Sequence, residues 1–184
     1  MKSFNVNSIS VRTSSLKTAI VLGSSRSGGN TASLAIAAQD SLDAKLFDLA
    51  DYKIEPYSYD YGQDDDFWDL IDQLLKFDRI IFASPMYWYS ASAQMKIFLD
   101  RLSDLLDVNK EKGRALRGKQ AALLATGYMD LPPACFEQMF EMTFNYLGMR
   151  YQGMNYSSCT PDFDLVKHKP KLSEFVLSLH AEVN

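Results

Sequence analysis

The predicted fold depends on the stretch Gly23-Ser24-Ser25-Arg26-Ser27-Gly28-Gly29-Asn30-Thr31. A short apolar run at 19–22 precedes it, and residues 31–39, which include four alanines, follow it. A short apolar run closed by glycine is typical of a strand that is buried on both faces. Alanine is a strong helix former, so the segment after the stretch predicts a helix. The sequence therefore predicts a strand, a polar loop and a helix in direct succession.

The polar loop has the composition of a phosphate-binding turn. Its three glycines allow backbone N–H groups to converge on one anion. The side chains that could bond phosphate oxygens are those of Ser24, Ser25, Ser27, Asn30 and Thr31. Arg26 adds a full positive charge with a fork that matches phosphate oxygens, and the following helix directs the positive end of its dipole at the loop. The loop therefore predicts a site for a phosphate dianion.

Two nucleotide motifs do not fit this loop. In a P-loop, Gly29 and Asn30 would occupy the positions of the lysine and the magnesium-binding hydroxyl, which argues against ATP or GTP hydrolysis. In a dinucleotide fingerprint, Ser25 would occupy the position of the second glycine. A monophosphate site at the first strand-to-helix turn remains. The competing interpretation is a polar connection in which Asn30 caps the helix.

The composition is that of one ordinary globular domain. The chain has 184 residues, of which 47% are hydrophobic and 23% charged, with a net charge of -4. That charge, without a basic stripe, argues against a nucleic-acid or membrane partner. The two cysteines form no CxxC, so we expect no metal site, no disulfide scaffold and a reducing cytoplasm. We expect residues 1–17 to be a poorly ordered extension and 18–184 to be the domain.

The rest of the chain alternates between strands and helices. Further strands are predicted at 44–49, 79–84 (ended by Pro85), 120–126 and 150–157, and helices at 31–39, 67–75, 92–106, about 132–147 and 163–183. Residues 50–66 are predicted to form a tyrosine-rich loop and 109–118 a solvated basic loop. Five strands in this alternation predict an α/β fold, a doubly wound parallel sheet with strand order 2-1-3-4-5.

Three acidic residues, Asp64-Asp65-Asp66, directly precede the helix predicted at 67–75. Carboxylates at a helix N-terminus cap the helix and complement its dipole, which is the interpretation we favour. A cation site is the alternative.

In the predicted strand order a ligand lies over the carboxyl ends of strands one and three. The loop after strand three is Ser84-Pro85-Met86-Tyr87-Trp88-Tyr89-Ser90, and that after strand four is Thr126-Gly127-Tyr128-Met129. Aromatic side chains and turn N–H groups could hold a flat, redox-active ring such as a flavin, which Gly127 would allow to approach closely. The alternative is that Tyr87, Trp88 and Tyr89 form an aromatic surface or a partner interface.

Two segments resemble the NAD(P)H-dependent FMN reductase family of flavodoxin-like proteins. They are Gly23-Ser24-x-Arg26-x-x-Gly29-Asn30-Thr31 and Ser84-Pro85-x-Tyr87-Trp88-x-Ser90-x-Ser92-Ala93-Gln94-Met95-Lys96-x-Phe98-x-Asp100-Arg101. The resemblance implies an enzyme that uses FMN and passes hydride from NADH or NADPH through flavin N5 to an acceptor. The FMN-binding residues that it implies are Ser24, Ser25, Arg26, Ser27, Gly29, Asn30, Thr31, Pro85, Met86, Tyr87, Trp88, Ser90, Thr126, Gly127 and Tyr128.

The resemblance also bears on the branch of the family and on assembly. The second segment looks most like the iron–sulfur flavoproteins, but no cysteine lies between Leu49 and Phe67, so we expect no cluster. Family members commonly form dimers, and the aromatic residues at 87–89 and 52–61 point the same way. Lys96, Asp100 and Arg101 match the motif, and we interpret them as structural or interfacial.

We expect an oxidoreductase that reduces quinones, free flavin, nitro or azo compounds, or similar small molecules, with no side chain needed as acid or base. The alternatives are an electron carrier with the same cofactor and a binding protein that has lost flavin. His168 and His180 are expected at the surface.

Overall fold

The computed structural model describes residues 16–62 and 64–181. Its β-strands are β1 (Thr18–Leu22), β2 (Lys45–Asp48), β3 (Arg79–Tyr87), β4 (Ser90–Ala91), β5 (Gln120–Gly127) and β6 (Arg150–Ser158). The parallel strands lie in the order β2-β1-β3-β5-β6, and β4 pairs antiparallel with the end of β3. The predicted α/β class and the order 2-1-3-4-5 of the parallel strands are confirmed, and the short β4 is an addition to them.

The helices cover both faces of this sheet. They are α1 (Asn30–Leu42), α2 (Phe67–Leu74), α3 (Ala93–Arg101), α4 (Asp104–Asp107), α5 (Lys110–Ala115), α6 (Ala134–Tyr146) and α7 (Leu165–Ala181), with a 3₁₀ turn at Leu49–Asp51. Alternate residues of each strand face opposite layers. Ile20 and Leu22 pack with α1 and α7, whereas Ala19 and Val21 pack with α2, α3 and α6. All residues of β1 and β5 are therefore buried.

Strand β3 continues through Pro85, where the sequence predicted that it would stop. The N–H of Gly23 donates to the carbonyl oxygen of Ala83, on the side of the sheet where β1 lies. The backbone polar groups of residues 83 and 85 point to the same side of β3, toward β1. Because β1 ends at Leu22, no β1 residue lies opposite the Pro85 nitrogen. The missing N–H of proline therefore costs no hydrogen bond between strands.

The helix predicted at 92–106 is confirmed over Ala93–Arg101 but ends there, and the basic loop predicted at 109–118 was wrong. The chain bends after Arg101, whose guanidinium forms a buried ion pair with Asp104 at 2.9 Å, and α4 starts there. Asn109 then caps the short helix α5, because its Oδ1 accepts the N–H of Lys112 at 3.1 Å. The Asn109 cap and the buried charge pair of Arg101 decide where these helices begin and end. Neither contact alters the spacing of the apolar residues from which the helix was predicted.

Arg101 also anchors the loop between β2 and α2. Its guanidinium is buried, pairs with Asp65, and donates to the carbonyl oxygen of Glu55 at 3.0 Å. Burial raises the pKa of Asp65, but hydrogen bonds from Arg101 and from the N–H groups of Glu55 and Phe67 outweigh it and hold that pKa below its ordinary value. Of the three acids predicted to cap α2, Asp65 accepts the N–H of Phe67, while Asp66 accepts the N–H of Lys53. Arg101 is structural, as predicted.

Most of the extension predicted at 1–17 lies outside the described residues. Lys17, at its end, is held in place, because its carbonyl oxygen accepts the N–H groups of Asp78 and Arg79 at 2.9 and 3.1 Å. Within 16–62 and 64–181, no helix is both long and apolar enough to cross a membrane.

Candidate functional site

An open cleft of about 430 Å³ lies at the carboxyl edge of the sheet. Three segments form most of the cleft. They are the loop of residues 23–29 between β1 and α1 (the β1–α1 loop), the end of β3 and the end of β5. The side chains and backbone that line the cleft are those of Ser24, Arg26, Gly29, Asn30, Thr31, Pro85, Met86, Tyr87, Thr126, Gly127, Tyr128 and Cys159. The cleft is where the predicted strand order places a ligand, since the winding direction reverses between β1 and β3.

Close packing fixes the start of the β1–α1 loop. A Cβ on Gly23 would lie 2.7 Å from the Cβ of Met95 and 2.9 Å from its backbone N and Cα, so only glycine fits. The hydroxyl of Ser92 donates to the carbonyl oxygen of Gly23 at 2.6 Å and accepts the N–H of Met95, which caps α3. Ser92 thereby ties the loop to the helix that follows the hairpin of β3 and β4.

The N-terminus of α1 opens into the cleft without a side-chain cap. Gly29 is the N-cap residue, and among the described residues no side chain accepts a hydrogen bond there. The alternative interpretation of Asn30 as the cap was therefore wrong: Asn30 lies in the helix and its Nδ2 donates to Sγ of Cys159 at 3.2 Å. An uncapped helix N-terminus leaves backbone N–H donors and a positive partial charge facing the cleft. These are the requirements of an anion site.

Two polar groups complete the anion end of the cleft. The hydroxyls of Thr31 and Thr126 lie 2.7 Å apart and are buried, so one donates to the other and the accepting hydroxyl keeps its own hydrogen for a further partner. Arg26 lies at the rim with an exposed side chain, and no carboxylate of the described residues pairs with it. Its guanidinium is therefore available to a ligand that brings its own negative charge.

The opposite end of the cleft is aromatic. A larger hollow, lined by Met86, Tyr87, Trp88, Tyr89, Tyr128 and Met129, adjoins the cleft and shares Met86, Tyr87 and Tyr128 with it; we call it the aromatic hollow. Its volume is about 1120 Å³. The hydroxyls of Tyr87 and Ser25 lie 3.3 Å apart, which connects the hollow to the β1–α1 loop.

The loop after β5 is held tightly against the cleft. A Cβ on Gly127 would lie 2.6 Å from the Tyr156 hydroxyl and 3.1 Å from Cε of Met86. The Tyr156 hydroxyl donates to the carbonyl oxygen of Met129 at 2.8 Å, and burial raises the pKa of Tyr156, so it stays a neutral donor. Glycine at 127 therefore lets the loop approach both neighbours, as its position in the sequence suggested.

The predicted residues do not all line the cleft. Ser25 contacts Tyr87, Ser27 is exposed, and Trp88 lines only the aromatic hollow. Ser90 is a correction, because it belongs to β4 and its hydroxyl points to Sδ of Met139 in α6 at 3.7 Å. Ser90 pairs with Tyr87 across the hairpin, and β4 packs against α6.

Cys159 lines the cleft and was not predicted. Its N–H donates to the carbonyl oxygen of Gly127 at 2.7 Å, directly after β6 ends at Ser158. The carboxyl ends of parallel strands meet at one edge, so a residue that follows the fifth parallel strand was a candidate by position alone.

The sequence model of the family described as NADPH-dependent FMN reductase matches residues 16–160. The chain belongs to this family. It is accordingly an NAD(P)H-dependent FMN oxidoreductase, with FMN as cofactor and NAD(P)H as co-substrate.

One relative and two solved structures are similar to this FMN reductase chain. A Bacillus subtilis (strain 168) protein with the provisional name NAD(P)H-dependent FMN-containing oxidoreductase YwqN is 31% identical over 172 residues, 86% of this chain and 93% of that protein. The structure of the Trp repressor binding protein of Bacillus subtilis is 28% identical, with a TM-score of 0.70, over 87% of this chain and 96% of that one. An FMN-dependent NADH-azoreductase of Bacillus anthracis in complex with FMN shares the fold at 10% identity and a TM-score of 0.66, over 92% and 100% of the two chains.

Proposed function

We propose that this FMN reductase holds the FMN phosphate at the N-terminus of α1 and the flavin ring toward the aromatic hollow, and reduces a small-molecule acceptor. The acceptor would be a quinone, free flavin, a nitro or azo compound, or a similar molecule. The observation that carries the proposal is the uncapped N-terminus of α1, beside which lies Arg26, a residue with no carboxylate partner among the described residues. Both features offer N–H donors and positive charge to an anionic ligand.

The residues present fit a terminal phosphate. Ser24, Asn30 and Thr31 bring hydroxyl and amide groups to the cleft, and Arg26 brings one positive charge. Their chemistry suits phosphate oxygens, which accept several hydrogen bonds at once. A carboxylate in the lining would repel phosphate, and the residues that line the cleft include none. The fit therefore favours FMN with its phosphate at this end.

The second end of the cleft fits a planar ring. Pro85, Met86 and Tyr87 supply apolar surface, and the backbone groups of residues 126–128 would be available to the polar edge of a bound ring. When bound, FMN would supply the redox chemistry of the reaction, the transfer of a hydride equivalent from NAD(P)H to the acceptor. The protein's own part is to bind, orient and shield the reactants.

Flavin content and turnover test this proposal together. Protein purified without added flavin, or supplied with FMN, is expected to absorb near 450 nm and to release FMN, identified by mass. Oxidation of NADH or NADPH is then followed with menadione or free FMN as acceptor. Turnover without any partner protein supports an enzyme, whereas flavin binding without turnover would indicate an electron carrier. Recovery of mainly FAD would contradict the assignment of the phosphate end.

One cleft serves both substrates in this proposal, because the described residues show a single cleft that combines an anion end with an aromatic hollow. NAD(P)H and the acceptor must then occupy it alternately. We expect parallel double-reciprocal plots against NAD(P)H at several acceptor concentrations, with inhibition by excess acceptor. Converging lines would mean that both substrates bind together and that a separate nucleotide site exists.

We also propose a homodimer, formed through the face between α3, α4 and α6. A groove of about 660 Å³ there is lined by Leu99, Leu102, Ser103, Leu106, Met142, Thr143, Tyr146 and Leu147. Leu106, Met142 and Tyr146 are exposed, and a second copy would cover them. Light scattering is expected to give twice 20.8 kDa, and Met142→Glu is expected to halve the mass. A wild-type mass of one chain at all concentrations would contradict the proposal.

The cytoplasm is the compartment that we propose. Cys135 and Cys159 are both unpaired, as is usual where thiols stay reduced. Fractionation of the native host tests this placement.

A further inference from the structure

We propose that Trp88 and Tyr89, the tip of the hairpin between β3 and β4, form a platform that selects planar, uncharged aromatic electron acceptors. This inference rests on the proposed function, because it names the substrate class of the same site. Four observations carry it: an unfavourable backbone, the exposure of the two rings, the chemistry of the aromatic hollow and its connection to the cleft.

The backbone of the hairpin tip is unfavourable for the residues that it holds. The strand pairs Met86 with Ala91 and Tyr87 with Ser90, so Trp88 and Tyr89 are the two central residues of a tight turn. Both have positive φ angles, +48° and +65°. A two-residue hairpin with positive φ at both positions prefers Asn-Gly, and bulky side chains are strained there. This turn therefore contains two of the residue types least suited to it.

Burial does not compensate for this strain. Trp88 is 92% exposed and Tyr89 57% exposed, so neither ring contributes much apolar surface to the core. The fold would be more stable with asparagine and glycine at these positions. Strained positions that the fold does not require are concentrated at ligand sites, where the geometry serves binding.

The aromatic hollow indicates which ligand class the tip would take. Its lining combines Trp88 and Tyr89 with Met86, Tyr87, Tyr128 and Met129, and none of these side chains is charged. Aromatic faces and thioethers bind planar rings by stacking and dispersion. A small, highly charged acceptor such as ferricyanide finds no charge partner in this lining. The hollow therefore favours a quinone-like or other flat aromatic molecule.

The hairpin also has a defined position relative to the proposed flavin site. The hollow shares Met86, Tyr87 and Tyr128 with the cleft, so a ring on the platform lies beside a ring in the cleft. Tyr87, at the base of the turn, contacts the Ser25 hydroxyl of the β1–α1 loop at 3.3 Å. That contact holds the hairpin against the loop proposed to bind phosphate. Electron transfer needs this proximity, which an unconnected aromatic patch would lack.

The test replaces the tip by the pair that the turn prefers, in the double variant Trp88→Asn with Tyr89→Gly. The control is Asp43→Gly. Asp43 is another non-glycine residue with a positive φ angle, +48°, and it follows the C-terminal end of α1, so glycine there removes the same kind of backbone strain. That helix has 13 residues, so Asp43 lies roughly 20 Å from the cleft. Both variants are expected to raise the thermal midpoint of the FMN-free protein. A lower midpoint for the double variant would overturn the strain argument.

The second readout is acceptor choice. FMN-saturated protein is reduced with one equivalent of dithionite, and its reoxidation is timed with menadione or with ferricyanide. Menadione takes two electrons and two protons to give the hydroquinone, whereas two ferricyanide ions each take one electron. We expect the ratio of the menadione rate to the ferricyanide rate to fall at least tenfold in the double variant and to stay within twofold of wild type in Asp43→Gly.

Each other outcome contradicts the platform. A ratio within twofold of wild type in the double variant means that the tip does not select the acceptor. A change of solution mass in the double variant means that the rings form a subunit interface instead. Dithionite makes this measurement independent of NAD(P)H, so failure of wild-type protein to oxidise NAD(P)H would count against the proposed function alone.

Discussion

The β1–α1 loop and the hairpin tip lie on the same edge of the sheet and touch through Ser25 and Tyr87, yet they are built in opposite ways. The loop starts at a glycine packed against the backbone of α3 and is held by the Ser92 hydroxyl. The tip exposes two aromatic rings on a strained turn. A rigid loop suits a ligand group that never changes, such as a phosphate. An exposed apolar tip suits substrates that exchange in every turnover.

The largest effect is expected from Gly23→Ala, which tests whether close packing fixes the loop. The new methyl would lie 2.7–2.9 Å from Met95 atoms that cannot move without shifting α3. We expect a loss of about 3 kcal/mol in the free energy of unfolding, measured by urea denaturation, and loss of FMN binding. The matched control is Gly28→Ala, where a Cβ meets nothing within 4 Å. Equal effects of the two changes would show that packing at Gly23 is unimportant.

Arg26→Ala tests the charge at the anion end. A charge-assisted hydrogen bond to phosphate contributes about 1.5–3 kcal/mol, so the Kd for FMN is expected to rise by one to two orders of magnitude. Because Arg26 is exposed and has no carboxylate partner among the described residues, unfolding of the FMN-free protein is expected to change by less than about 0.5 kcal/mol. Arg114→Ala, an exposed arginine of α5, is the control. An unchanged Kd in Arg26→Ala would mean that the guanidinium points into solvent.

The hydroxyl pair of Thr31 and Thr126 allows a double-mutant cycle. Thr31→Val leaves the buried Thr126 hydroxyl without its partner 2.7 Å away, so we expect a loss of about 1–2 kcal/mol in unfolding free energy. The double variant with Thr126→Val removes both hydroxyls and is expected to be more stable than either single variant. Additive losses in the cycle would show that the two hydroxyls do not interact.

Tyr87→Phe is expected to have the smallest effect and tests the contact between the two regions. The contact of the Tyr87 hydroxyl with Ser25 is 3.3 Å long and exposed, so its loss is expected to cost about 0.5 kcal/mol of unfolding free energy. Tyr89→Phe is the control, because no hydrogen bond of the Tyr89 hydroxyl occurs among the described residues. A similar change in both variants would mean that the hairpin and the loop are not coupled through this contact.

Much of the fold could be predicted because it depends on patterns local in sequence. The apolar run of β1, the glycine-rich loop and the alanine-rich α1 follow one another directly, and the alternation of strands and helices limits the sheet to few topologies. The boundary after Arg101 could not be predicted from the apolar spacing, which the local pair of Arg101 with Asp104 does not change. The anchoring of the loop between β2 and α2 could not be predicted either. A buried pair between Arg101 and Asp65 joins residues 36 positions apart, and no local spacing records it.

The same division applies to the candidate site. Arg26, Asn30 and Thr31 could be proposed from the sequence because a polar, glycine-rich turn before a helix has few other uses. Cys159 was missed, because only its position after the fifth parallel strand pointed to it, and its contact with Asn30 joins residues 129 positions apart. Ser90 was misplaced for a related reason, since the hairpin puts it in β4, where its hydroxyl contacts Met139 of α6, 49 positions later.

The amino-acid sequence by itself therefore determined the order of strands and helices, the polar, glycine-rich composition of the loop after β1 and the family resemblance. Each of these depends on neighbouring residues or on motif spacing. Only the tertiary structure decided that α1 has no side-chain cap, that Arg26 lacks a carboxylate partner among the described residues, and that Trp88 and Tyr89 stand exposed on a strained turn. These properties depend on which groups, distant in the sequence, come within hydrogen-bond distance of one another. Only the folded structure decides which groups do so.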